Sequence, residues 1–236
     1  MREKHIQIIG VPKTGTTWLW NNLTNCTKLR ATEKIFREDK KLTDEYTHLG
    51  NPLSKSLKEA TFQYKYIDQY IQFFSKFDVS CNADPCTYRT LSDNQIKEIH
   101  TYTTDLFIIF RNPYELLLSW YNFSIANNPG VAAYYLETLD KQEFIQFPAI
   151  LNRWKESKIP LTVMFYDDLK RDPFTFFEKF CRAANLEFNY LIKKAPYNET
   201  KYTMNLNFTE DQINNINKII VDTQELLNKD LSHWLR

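Results

Sequence analysis

No run of apolar residues in this 236-residue chain approaches the roughly 18 that a membrane-spanning helix requires, so no transmembrane segment is expected, and no membrane partner either. An excess of charge is missing too: 30 basic side chains stand against 29 acidic ones. General nucleic-acid binders carry a basic surplus, so no nucleic-acid partner is expected, although a local basic pocket is compatible with the balance. Met1-Arg2-Glu3-Lys4-His5 runs at once into an apolar strand pattern, so no secretion signal is expected. A cytoplasmic protein is therefore expected. The 4 cysteines, Cys26, Cys81, Cys86 and Cys181, lack zinc-ligand spacing. Cys81 and Cys86 are close enough in sequence to pair, but free thiols fit a chain without a secretion signal. Internal repeats and low-complexity stretches are absent. Glycine is scarce, with 4 in the chain, so two in one short loop, Gly10 and Gly15, single that loop out.

A hydrophobic content of 43% with 15% aromatics is enough for a sizeable core, and the length fits one domain over residues 1–236. Short apolar runs at 5–9, 105–110 and 161–166, with a further candidate strand at 77–82, alternate with helical patterns at 16–26, 92–101, 113–125 and 173–184. A short extended piece is expected within 28–36, a helix over 58–75, a turn at 127–130, helices near 141–156, and two closing helices at 209–220 and 222–229. Asn112 before Pro113, Asp172 before Pro173, and Thr209 are helix-start signals. The alternation argues for an α/β fold, a parallel sheet flanked by helices around a P-loop-like nucleotide-binding core. Ligands of such sheets bind beyond the C-terminal strand ends. The loop at 10–15 and Arg111 should thus share one edge.

Residues 10–18 read Gly-Val-Pro-Lys-Thr-Gly-Thr-Thr-Trp. A strand, a turn with these glycines, then a helix is the layout of a phosphate cradle, where backbone N–H groups and the helix dipole converge on an anion. The pattern G-x-x-x-x-G-K-[ST] is nearly met, but Thr16 occupies the lysine position and the basic residue is Lys13. A nucleotide triphosphatase needs its lysine on the β/γ-phosphates, so this cradle suits an anionic nucleotide handled differently.

Pro12-Lys13-Thr14-Gly15-Thr16-Thr17-Trp18 resembles the 5′-phosphosulfate loop of the PAPS-dependent sulfotransferases (PAPS is 3′-phosphoadenosine 5′-phosphosulfate). Arg111-Asn112-Pro113, with Ser119 eight residues after the arginine, resembles that family's 3′-phosphate element. Tyr166-Asp167-Asp168-Leu169 resembles its Tyr-Glu-Asp-Leu stretch. The three matches keep the family's order over residues 10–173. The resemblance implies sulfuryl transfer from PAPS to a hydroxyl or amine, release of adenosine 3′,5′-bisphosphate (PAP), and no metal, since cationic side chains and backbone donors neutralise the cofactor.

On that resemblance Lys13 stabilises the charge that develops on the bridging oxygen. Thr14, Gly15, Thr16 and Thr17 face the 5′-phosphate. Trp18 is either an adenine contact or a core tryptophan. Arg111, closing a buried strand, needs an anionic partner; a planar fork suits the 3′-phosphate, with a structural ion pair as the alternative. Ser119 adds a hydroxyl to the same phosphate. Tyr166 and Asp167 carry a structural or adenine-side role. None of the histidines matches the Lys-Thr-His type segment of cytosolic small-molecule members. Glu33, in Glu33-Lys34-Ile35-Phe36, resembles the glutamate base of glycan-type members; a surface glutamate is the alternative. Asp84, in Ala83-Asp84-Pro85-Cys86-Thr87-Tyr88, stands where those members carry Glu-Lys-Thr-Pro-x-Tyr, without the lysine. Lys201, with Lys193 and Lys194, falls in a segment similar to the loop over the cofactor. A small-molecule or glycan acceptor is expected. The competing functions are a P-loop-type kinase, against which Thr16 counts, and a non-catalytic nucleotide-binding protein.

Overall fold

The computed structural model describes residues 4–27, 30–31, 79–82, 93–127, 129–155, 159–192 and 204–236. Five strands form one wholly parallel sheet: β1 (Lys4–Ile9), β2 (Arg30–Ala31), β3 (Val79–Asn82), β4 (Asp105–Phe110) and β5 (Leu161–Phe165), in the order β2-β3-β1-β4-β5. The register pairs Ile6 with Cys81, Ile9 with Ile108, and Phe110 with Phe165. The chain leaves β1 toward the β3/β2 side and leaves β4 toward β5. The direction of winding therefore reverses between β1 and β4, and a crevice opens there beyond the carboxyl ends of the two strands.

The helices are α1 (Thr16–Cys26), α2 (Asp93–Tyr102), α3 (Pro113–Asn127), α4 (Ala132–Glu137), α5 (Phe147–Lys155), α6 (Tyr166–Arg171), α7 (Pro173–Ala183) and α8 (Glu210–Leu227). Strand β4 is apolar at every position after Asp105 because both its faces are covered. Leu106, Ile108 and Phe110 join Ile9 in a core with Leu116, Leu117, Trp154, Ile216 and Ile220 of α3, α5 and α8. Phe107 and Ile109 join Ile6, Ile8 and Met164 in a second core with Trp18, Leu19 and Leu23 of α1 and Phe176, Phe177 and Phe180 of α7. The sheet therefore has helices on both faces, as the alternating pattern predicts.

Capping fixes where three helices begin. The Asn112 side chain accepts from Tyr114 N at 2.9 Å. Asp172 accepts from Phe174 N and Thr175 N, and Thr209 with Gln212 forms a capping box. The two closing helices expected at 209–220 and 222–229 are one helix, α8. Val221 and Asp222 break nothing, Ile216, Ile219, Ile220 and Thr223 stay on one buried stripe, and left-handed Asn228 (φ 47°) ends the run. Helix α4 follows a single 3₁₀ turn at Pro129–Val131, where only a turn was expected. The expected helix over 58–75 lies outside the described residues, as does most of the extended piece at 28–36. Among the described residues no helix is long and apolar enough to cross a membrane. Cys26, Cys81 and Cys181 are buried.

Candidate active site

The loop after β1 turns into α1 through two left-handed residues, Lys13 (φ 62°) and Gly15 (φ 88°). The Thr14 hydroxyl donates to Val11 O at 2.7 Å and closes the loop on itself. Gly15 is the N-cap of α1 and offers no side-chain cap. The N-cap side chain thus offers no oxygen to the first amides of the helix, which have no acceptor within the helix itself. An anion is the partner such a helix start favours.

Arg111 sits at the end of β4, on the neighbouring side of the crevice, and is 6% exposed. Its Nη1 donates to the Lys13 carbonyl at 3.0 Å, so the loop and the arginine share one edge, as the sheet argument required. The guanidinium lies 4.4 Å from the ring centroid of Tyr166, the first residue of α6. Its Nε and Nη2 face one oxygen of Glu115, both at 3.4 Å. The ammonium of Lys13 lies over Phe123 of α3, 4.8 Å from the ring centroid. Burial first, then the Arg111 charge, pushes the Lys13 ammonium below the usual lysine value. Two cations and an open helix start are thus gathered at one point. That donor set suits a polyanion.

Other expected site residues separate by place. Thr16 is buried at the helix start and Thr17 is half-buried beside it. Ser119 is buried two turns along α3. Trp18 is 3% exposed, with Phe176 and Phe177 edge-on to its ring, so it packs in the core whatever else it does. Asp167 accepts from Trp234 Nε1 at 2.6 Å and lies 3.3 Å from His233 Nε2, which ties the C-terminal segment to α6. Glu33 and Lys201 lie outside the described residues, as do Asp84, Lys193 and Lys194. Sequence reasoning missed Glu115, Lys170 and Phe123. Glu115 was in principle findable as the acidic partner one turn after Arg111; Lys170 and Phe123 carry no local signal.

The sequence matches the sulfotransferase domain family over residues 3–230. Among curated proteins none matches it. Among solved structures, the chain is similar to a sulfotransferase from Alicyclobacillus acidocaldarius, at 14% identity and a TM-score of 0.64 with both chains fully covered. It is similar to a sulfotransferase from Mycobacterium avium, at 14% identity and a TM-score of 0.55 over 98% of this chain and 78% of that one. A mouse sulfotransferase complexed with PAP matches at 14% identity and a TM-score of 0.52, over 95% of this chain and 86% of that one.

Proposed function

The chain belongs to the sulfotransferase domain family, and from that premise we propose that its sulfuryl donor is PAPS and that the crevice between β1 and β4 holds the nucleotide. The carrying observation is the bond from buried Arg111 to the Lys13 carbonyl. It brings two cations and the start of α1 to one edge of the sheet. On this reading the amides of Gly15, Thr16 and Thr17 receive the 5′-phosphate. Arg111 and Ser119 receive the 3′-phosphate, and Tyr166 braces the guanidinium. Bound PAPS supplies an electrophilic sulfur on a phosphate leaving group. Lys13 places positive charge where the leaving oxygen becomes negative, in a half-buried setting where that charge counts for more than in water. Glu33 is the proposed base for the acceptor and Lys201 a proposed phosphate contact; both rest on sequence pattern. The acceptor class is a small molecule or a glycan.

Thermal stability tests the reading. Ligand at a hundred times its Kd stabilises by about 2.7 kcal/mol, or roughly 5–10 °C for a domain of this size. PAP should raise the melting temperature of the wild type by that amount, and ATP with magnesium should not. Arg111→Ala should abolish the shift. Stabilisation by ATP with magnesium alone would sink the donor assignment.

A further inference from the structure

The Glu115 carboxylate is shared between two cations on unequal terms. Lys170 Nζ, reaching over from α6, holds Glu115 Oε1 at 2.8 Å and Oε2 at 2.9 Å. Arg111 reaches only Oε2, at 3.4 Å from both Nε and Nη2. The short, two-oxygen contact thus belongs to the lysine, and the contact between Arg111 and Glu115 is the looser of the two. Lys170 is also 3.6 Å from Asp167 Oδ1, and Asp167 is anchored through its other oxygen by Trp234. A carboxylate and a phosphate seek the same guanidinium face. Whatever holds Glu115 back therefore weakens its competition with a phosphate for that guanidinium.

We propose that Lys170 and Glu115 are positioning residues for the nucleotide: Lys170 draws the Glu115 carboxylate away from Arg111 and so keeps the guanidinium available to a nucleotide phosphate. This rests on the reading of the crevice as the PAP site. Without Lys170 that two-oxygen hold on Glu115 is gone, and its carboxylate closes onto Arg111 as a bidentate pair that a phosphate must displace. Glu115 is then the residue through which the loss of Lys170 is felt. Both side chains are partly exposed, at 40% and 45%, so substitution leaves the two cores untouched.

Isothermal titration with PAP tests the pair. Lys170→Met should weaken binding about tenfold, in the range of couplings measured within one charge network. Glu115→Gln alone should bind at least as tightly as the wild type. The double variant should return to within about twofold of Glu115→Gln, since no carboxylate remains to compete. In turnover, Lys170→Met should raise the KM for PAPS and leave kcat unchanged, and Lys170→Arg should behave as wild type. An equal loss on removing Lys170 with and without Glu115 would overturn the proposal, because Lys170 would then act on the phosphate itself. It is also overturned if Lys170→Met binds normally while Arg111→Ala does not bind. If the wild type fails to bind PAP, the reading of the crevice fails first, and that result is distinct from the other two.

Discussion

Gly15→Ala probes how tightly the loop is packed against α6. Gly15 holds φ at 88°, and an alanine in the left-handed region costs roughly 1 kcal/mol. A Cβ there would stand 2.6 Å from Leu169 Cδ2 and 3.2 Å from the nearest Tyr166 ring carbon. Leu169 is 6% exposed and has little room to retreat, so overpacking adds about 2 kcal/mol. The stiffer unfolded chain returns roughly 0.5 kcal/mol. The net loss is about 2.5 kcal/mol, or roughly 5–10 °C in melting temperature. Urea unfolding would measure it, with Leu169→Ala as the second arm of a cycle. In that background the clash with Leu169 disappears and what remains is the backbone cost less the unfolded-chain return, about 0.5 kcal/mol. The substitution also pushes on Tyr166, whose ring lies against Arg111. PAP affinity should therefore fall in Gly15→Ala and recover partly in the double variant. An unfolding free energy within about 0.5 kcal/mol of wild type would refute the claim that loop and α6 are in hard contact.

Four further outcomes are expected. His5 is fully buried, and burial lowers its pKa from 6.5 to about 3; the unfolded chain takes up the proton first, so its contribution is complete above pH 6.5 and is lost between 6.5 and 3, about 2 kcal/mol by pH 5. His5→Gln should flatten that part of the stability–pH curve, leaving the smaller acid loss from His100, which burial shifts the same way. Lys13 acts protonated and its pKa is lowered, so kcat/KM should fall with rising pH before the ordinary lysine range, and Lys13→Arg should remove that limb from the profile. Phe123→Leu withdraws the ring under the Lys13 ammonium, a contact worth about 0.5–1 kcal/mol; kcat should drop a few-fold while PAP affinity holds, and an equal loss in both would contradict a role through Lys13. Thr209→Ala removes half the capping box of α8, and urea unfolding should show a loss of about 1 kcal/mol.

What the sequence declared and what it withheld divide by range of interaction. The strand 105–110, the helix start at Thr16 and the Asn112 and Asp172 caps are written in adjacent residues, and the structure has them where the pattern put them. The meeting of Lys13 with Arg111 was also legible, because a parallel sheet that reverses its winding places the ends of β1 and β4 side by side. The two helices expected at 209–220 and 222–229 are one, because a helix needs only every third or fourth position buried and Ile216, Ile219, Ile220 and Thr223 meet that need without a break. Lys170 is the clearest case of what could not be read. It is 55 residues from Glu115, and only the docking of β5 beside β4 carries α6 to the crevice. On the proposed reading, how firmly Arg111 holds a phosphate is set in part by a charge that belongs to a different strand–helix unit, and a local motif around Arg111 can name the residue without fixing that strength.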